Sequence, residues 1–412
     1  MVVNGAKMIP NQRQIEQVPM TFPARFSNLP DYAFPRLRKL LDVHEPGGDP
    51  IAMTIGEPRH AFPPWIGDII TENLQGFGKY PENDGKSALL TVQAAWLARR
   101  YGVEVAPDKQ ILALNGTREG LYNACMALCP ETKNGQKPVV LTPNPFYQVY
   151  AVAALAVGAE PVYLPATEAT GDLPDFDAVD PAILARTGVV YICSPANPQG
   201  AVASEAYWER LITLAEEHDF KIFADECYSE IYRDTPPPGA LQVAQKMGAD
   251  PERVLVFHSL SKRSNLPGLR SGFCAGGPDS IARMKQLRSY SGAPLPMPLQ
   301  AVAERVWADE AHVEENRALY RAKYDIADAI LGDVPGYRPP EAGFFLWLPV
   351  EDGEAATLKL WRETGVRVLP GAYLAREVGG VTPGSNRIRV AMVAEQDEMR
   401  RGLQTLRATL YG

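Results

Sequence analysis

The strongest constraint in this chain is a rhythm of strand-sized apolar runs and helical patterns. Between about residues 51 and 290 the two alternate. The predicted strands are Ile51–Ile55, Gln110–Leu114, Pro138–Thr142, Glu160–Leu164, Gly188–Cys193, Phe220–Ala224, Arg253–His258 and Leu269–Ala275. Most are apolar throughout rather than at every second position, the pattern of strands covered on both faces. Helical patterns such as Lys86–Tyr101, Arg118–Cys129, Glu205–His218 and Ser280–Tyr290 lie between them. Such alternation builds a largely parallel sheet with helices on both sides, an α/β fold. After Pro294-Leu-Pro-Met-Pro298 the texture changes. A long helix is predicted from Leu299 to about Leu331, then strand Gly343–Leu348, helix Ala355–Glu363, strands Val366–Leu369 and Arg387–Val393, and a final helix. The expected organisation is a large α/β domain over 61–298 and a smaller α+β domain made of 27–60 with 299–412, behind a polar extension over 1–26.

Composition narrows the function classes. A formal net charge of −8 leaves no basic stripe for a nucleic-acid backbone, so no nucleic-acid partner is expected. No apolar run reaches the ~20 residues that span a bilayer, and the polar start lacks the apolar centre of a secretory signal; the expected setting is cytoplasmic, with no membrane partner. The five cysteines, Cys125, Cys129, Cys193, Cys227 and Cys274, are few and odd in number and read as free thiols of a reducing compartment. Cys125 and Cys129 stand four apart on a predicted helix, but no His or second Cys pair is near them, and no metal site is expected. Proline is frequent, 37 of 412 residues. Many of these prolines stand in loops directly after the predicted strands, where a fixed φ holds a turn rigid.

In an open α/β sheet, ligands bind beyond the carboxyl ends of the strands, so the residues that follow each strand are informative. Asn115-Gly116-Thr117-Arg118 opens a helix and suits an anion such as phosphate, although an ordinary helix cap would look the same. Ser194-Pro-Ala-Asn197-Pro198 is a rigid turn that holds Asn197 at the sheet edge, or simply a tight loop. Asp225-Glu-Cys-Tyr228 puts an acid at the end of a buried strand, where it needs a partner unless solvent reaches it. In Ser259-Leu-Ser261-Lys262, followed by Arg270, a lysine between two strands, near hydroxyls and an arginine, suits a Schiff-base site. Arg270 adds a planar fork for phosphate, although a surface lysine loop would match the bare pattern equally well.

In order along the chain, these segments, with Ile55-Gly56-Glu57-Pro58, Lys79-Tyr80-Pro81, Asn144-Pro-Phe-Tyr147 and Arg387-Ile-Arg389, resemble the class I/II aminotransferases, the fold-type I pyridoxal-phosphate enzymes. The resemblance spans roughly residues 28–412 and implies a mostly parallel seven-stranded sheet in the large domain. Within the family, Asn144–Tyr150, Asp225–Tyr232 and Phe257–Phe273 look most like succinyldiaminopimelate aminotransferases of lysine biosynthesis. Ala196 and Gln199 depart from the usual pattern of the Asn-Pro loop. Aminotransferases for aspartate, alanine or aromatic substrates, and a C–S lyase of the same fold, stay open as alternatives.

The resemblance implies a role for each residue. Lys262 would hold the cofactor and move the substrate proton, Asp225 would pair with the pyridinium nitrogen, and Tyr228 and Asn197 would bond the ring hydroxyl oxygen. Tyr147 would stack on the ring, with Phe146 as its rival. Gly116, Thr117, Arg118, Ser259, Ser261 and Arg270 would hold the phosphate, with Tyr80 contributed from the other subunit of a homodimer. Arg389 would clamp the substrate carboxylate with the Gly56 backbone and Asn197 nearby; Arg387, two residues away on a strand, would face the other way. The substrates implied are small amino and 2-oxo acids, with glutamate and 2-oxoglutarate as one pair. Their distal carboxylate calls for a further cation, for which Arg59, His60 and Arg288 are candidates. At least one of Asn144-Pro145 and Asn197-Pro198 is expected to be cis. The runner-up classes fit less well. A dehydrogenase would need a G-x-G-x-x-G turn that is absent after the early strands, and a cofactor-binding regulator would need a DNA-reading domain.

Overall fold

The computed structural model describes residues 22–412; the first 21 residues, most of the expected polar extension, lie outside the described residues. Strand β1 (Ile51–Ala52) precedes the central sheet. That sheet comprises β2 (Ile111–Leu114), β3 (Val139–Asn144), β4 (Glu160–Pro165), β5 (Thr187–Cys193), β6 (Lys221–Asp225), β7 (Val254–Ser259) and β8 (Gly272–Ala275). Their order is β2-β8-β7-β6-β5-β3-β4. Only β8 runs against its neighbours, so the sheet is mostly parallel, as the continuous apolar runs imply. Residues Ile111–Leu114 and Val254–Ser259 are buried along their whole lengths.

Helices cover both faces because their apolar residues recur at helical spacing. In the helix Ser87–Tyr101, Leu89, Leu90, Gln93, Trp96, Leu97 and Tyr101 form the buried stripe, and Gly102 closes it in the left-handed conformation. Trp96 packs with Trp307 at 5.0 Å between ring centroids and with His258 at 4.8 Å, under the strand that leads to Lys262. Burying a large apolar side chain of this kind contributes about 2–3 kcal/mol, so this packing holds β7 in place.

A second core gathers Ile51, Met53, Tyr228, Tyr320, Tyr324, Phe344 and the residues around β9 (Phe345–Pro349), β10 (Val366–Arg367), β11 (Leu369–Pro370) and β12 (Arg387–Ala391). The three-stranded sheet β11-β12-β9 is antiparallel, and β1 pairs with β10.

Three expected boundaries move. The predicted helix Leu299–Leu331 is two helices, Met297–Ala308 and Ala311–Leu331. Asp309 takes an extended conformation between them, and its carbonyl and the Glu310 carboxylate both receive the buried Arg263. The first of these helices sends Val302, Ala303, Val306 and Trp307 into the core of the central sheet, so packing changes sides at Asp309-Glu310 rather than at 298. The strand predicted from Leu269 starts only at Gly272, because Arg270 has φ 56° and turns the chain. The strand predicted from Gly343 starts at Phe345, after Gly343 at φ 78°.

Candidate active site

The carboxyl ends of β2, β3, β5, β6 and β7 open on one edge of the sheet. Because β8 runs in reverse, the residues that precede it reach the same edge. The result is a cavity of about 350 Å³ bordered by Gly56, Thr117, Arg118, Tyr147, Asn197, Asp225, Tyr228, Ser259, Ser261, Lys262, Arg270 and Arg389. These motifs lie up to 333 residues apart along the chain; most follow strands of the central sheet at that edge, and Gly56 and Arg389 come to it from the loop after β1 and from β12 of the smaller sheet.

At one end is an anion cradle. Gly116, φ 82°, caps the helix Thr117–Leu128, and a Cβ built on it would lie 2.3 Å from Arg270 Nη2. The left-handed φ favours glycine there, and any Cβ would push the Arg270 guanidinium from its place. Arg270 is held by the carbonyls of Pro267 (2.9 Å) and Asn115 (3.2 Å), and Ser259 Oγ lies 3.0 Å from Ser261 Oγ. Arg118 Nε donates to Tyr147 Oη beside this cradle.

At the floor, Asp225 Oδ2 accepts from Tyr150 Oη at 2.8 Å and Oδ1 accepts from the Cys227 amide at 3.4 Å. Burial raises the Asp225 pKa despite these bonds. Lys262 donates to the Gly56 carbonyl, and its pKa is lowered to about 8, chiefly by burial. A lysine so placed loses its proton more readily and becomes a nucleophile and base.

At the other end, Arg389 donates to Asn197 Oδ1 (3.1 Å) and to the Thr54 carbonyl (2.8 Å), and its Cζ lies 4.2 Å from the centre of the Phe345 ring. It is 4% exposed, its Nε has no partner, and no carboxylate pairs with it among the described residues. Burial lowers its pKa to about 10. A buried guanidinium short of acceptors is a seat for an anion. Arg387 points away and pairs with Glu168, as strand alternation requires. Asn197 Nδ2 also donates to Tyr228 Oη at 3.4 Å.

This donor set fits pyridoxal phosphate. A glycine-lined helix start with Arg270 would suit the phosphate, a buried acid would suit a basic ring nitrogen, and a readily deprotonated lysine borders the same cavity.

Four sequence candidates lie outside the cavity. Tyr80 is fully exposed. Arg59 is tied to Glu398 and the Ala52 carbonyl, Arg288 to Glu119 and the Ala113 carbonyl, and buried His60 to Asn316 and Lys323, so none of these three is presented to a ligand in the cavity. Both Phe146 and Tyr147 border the cavity; Phe146 is buried and packs on Tyr163, whereas Tyr147 is only half-buried. Both Asn144-Pro145 and Asn197-Pro198 are cis, and so is Ser194-Pro195, which was not foreseen.

Sequence reasoning missed Tyr150, whose hydroxyl would have been the clue in an otherwise apolar helix. It also missed Tyr32 and Phe34, which reach the cavity from the helix Ala33–Leu41 and its cap.

A sequence profile described as "Aminotransferase class I and II" matches residues 49–406. An LL-diaminopimelate aminotransferase from Dehalococcoides mccartyi is 30% identical over 396 residues, covering 94% of this chain and 98% of the relative. A crystal structure of an aminotransferase from Neisseria meningitidis superposes with a TM-score of 0.87 at 36% identity, covering 92% of this chain and 97% of the other. A probable N-succinyldiaminopimelate aminotransferase from Thermus thermophilus gives a TM-score of 0.79 at 25% identity, covering 92% of this chain and all of the other. With that match across most of its length, and with a cavity built to hold pyridoxal phosphate, the chain belongs to the class I and II aminotransferases, enzymes that depend on this cofactor.

Proposed function

We propose that this aminotransferase acts on N-succinyl-2-amino-6-oxopimelate, taking the amino group from glutamate and releasing 2-oxoglutarate. The observation that carries this reading is a buried Arg389 without a carboxylate partner among the described residues, bordering the same cavity as Lys262 and Asp225. A guanidinium so placed receives the carboxylate of an amino or 2-oxo acid beside the reacting lysine. The sequence likeness to succinyldiaminopimelate aminotransferases supports the succinylated substrate.

Pyridoxal phosphate, when bound, supplies an electron sink that makes the substrate Cα–H acidic. The chain does the rest. Lys262 takes and returns the Cα proton, and Asp225 holds a proton on the ring nitrogen while Tyr150 fixes its carboxylate. Asn197 and Tyr228 bond the ring oxygen, and Tyr147 covers the ring. Gly116, Thr117, Arg118, Ser259, Ser261 and Arg270 hold the phosphate, and Arg389 with Asn197 orients the α-carboxylate. Tyr80 supplies a further phosphate contact to the partner subunit of a homodimer. The setting proposed is the cytoplasm; among the described residues no helix is long and apolar enough to cross a membrane.

A second reading has its own support: the relative from Dehalococcoides mccartyi is named for unsuccinylated LL-diaminopimelate. A coupled assay of glutamate formation with 2-oxoglutarate and either N-succinyl-LL-diaminopimelate, LL-diaminopimelate, aspartate or alanine separates the readings. The proposal expects the largest kcat/KM with the succinylated compound. A larger value with free LL-diaminopimelate transfers the assignment to the second reading, and one with aspartate or alanine overturns both.

A further inference from the structure

Behind the cavity, four buried polar side chains form a hydrogen-bond chain that the reaction does not use. Lys323 Nζ lies 2.6 Å from His60 Nε2, and His60 Nδ1 lies 2.8 Å from Asn316 Oδ1. Asn316 Nδ2 reaches the Arg263 carbonyl at 3.5 Å, and Asn265 Nδ2 donates to Asn316 Oδ1 at 3.1 Å and to the Ala61 carbonyl at 3.2 Å. His60, Asn316, Lys323 and Asn265 are all under 9% exposed. An ammonium can only donate, so His60 Nε2 accepts; Asn316 Oδ1 can only accept, so His60 Nδ1 carries the proton. The ring is therefore neutral, in a single tautomer.

The chain joins the two ends of the site's backbone support. The segment Thr54–Ala61 gives its Thr54 carbonyl to Arg389 and its Gly56 carbonyl to Lys262. The far end of that segment is His60 and Ala61, and the other end of the relay is Arg263, the residue after Lys262. We propose that His60 is a positioning residue for Lys262: as a neutral relay between Lys323 and Asn316 it locks the Thr54–Ala61 strap onto the Lys262 loop, and protonation of its ring unlocks the strap.

Protonated His60 would lose its acceptor at Nε2 and face the Lys323 ammonium across the same contact. The groups around it set the balance. Lys323 opposes the ring's charge, Glu395 favours it, Arg59 lies close to Lys323 but is paired with Glu398, and the Tyr320 ring packs at 4.6 Å. Burial, the largest cause, already holds the His60 pKa below its ordinary value. The unfolded chain thus binds this proton more readily, and stability falls as pH drops from about 6.5 toward the folded value.

This inference rests on Lys262 as the reacting amine. The test uses the holoenzyme and two variants, with kcat and KM against pH and Tm against pH as readouts. In His60→Phe/Lys323→Met, which removes both polar partners together, kcat falls about 10-fold with KM little changed. The acid limb assigned to His60 disappears, and Tm falls less steeply below pH 6.5 than in wild type. In Asn316→Asp, a near-isosteric change, a carboxylate beside Nδ1 stabilises the charged ring, and the acid limb moves up by about 1 pH unit or more. Wild-type kcat in the double variant, or an acid limb unmoved in Asn316→Asp, overturns the proposal. If the double variant does not fold, Asn316→Asp alone decides. Turnover retained by Lys262→Ala would instead strike the underlying reading, a separate result.

Discussion

Lys262, part-buried, and Lys323, buried, both have a pKa lowered to about 8, and Arg389 and Arg263 are both buried guanidiniums with a lowered pKa. One lysine and one arginine border the cavity; the other two sit in the packed region behind it. Both members of the packed pair are hydrogen-bonded. Lys323 donates to His60, and Arg263 donates to the Val306 and Asp309 carbonyls and to Glu310. The pairs differ in what surrounds them: each lysine has one polar partner and the Nε of each arginine is unpartnered, but Arg263 meets Glu310 whereas Arg389 meets no carboxylate among the described residues, and Lys262 and Arg389 border open space. Desolvation alone therefore does not mark a reacting group. A desolvated cation without a carboxylate partner beside open space does.

The largest effect that tests this contrast is at Lys262. Lys262→Ala should lower kcat by about 10⁴-fold, the upper range for losing a positioned base. Borohydride reduction followed by peptide mapping should place the cofactor on the peptide that carries residue 262 in wild type only. Cofactor found on Lys323 would erase the distinction between the two regions.

The arginines should separate by size of effect. Arg389→Met removes a buried charge that has no acid partner, which offsets the donor lost to Asn197 Oδ1 and the Thr54 carbonyl, so Tm should change little while kcat/KM falls about 100-fold or more, the cost of about 3 kcal/mol for losing one half of a desolvated ion pair with substrate. Arg263→Met leaves the Val306 and Asp309 carbonyls without their donor and should cost about 2–4 kcal/mol of stability in denaturant titration. Equal losses of stability in the two variants would break the comparison.

The sequence makes the cavity half of this contrast readable and hides the other half. Asp225 and Lys262 follow predicted strands, so the edge rule for α/β sheets brings them together without coordinates, and the family resemblance adds Arg389 from the smaller sheet. His60, Asn316 and Lys323 come from a loop and from one helix, and nothing in their spacing shows that they meet. Read as a possible substrate contact, His60 turns out to be turned inward because Lys323 stands beneath it. The break at Asp309-Glu310 was hidden for a similar reason: Ala, Asp and Glu continue a helical pattern locally, and the demand that interrupts it comes from Arg263, some forty-six positions away along the chain. Tyr80 is a third kind of case, since its proposed contact lies on a second copy of the chain.

The phosphate end offers a smaller effect. Gly116→Ala meets both a left-handed φ of 82° and a 2.3 Å approach to Arg270 Nη2. Backbone strain of about 1–3 kcal/mol, carried into the cradle, should weaken cofactor retention by about 10- to 100-fold in a dialysis and fluorescence titration. The Arg389 end is far from this turn, so KM for the amino acid measured at saturating cofactor should stay close to wild type. A change confined to KM would mean that the two anion seats are not separate.

The smallest effect is a pH slope. The ordinary lysine pKa is 10.5 and that of folded Lys323 is about 8, so between these values the unfolded chain binds more protons than the folded one. Unfolding free energy should therefore rise with pH across that window, by up to about 1 kcal/mol per pH unit for one lysine. In the proposed holoenzyme Lys262 would be engaged by the cofactor and would not titrate as a free amine, which leaves the slope to Lys323. Replacing it with Met should flatten the denaturant-measured rise between pH 8 and 9.5, a range below the elevated pKa values of the buried tyrosines Tyr320 and Tyr324. An unchanged slope in Lys323→Met would show that this lysine keeps its ordinary pKa, and the likeness between the two regions would reduce to burial alone.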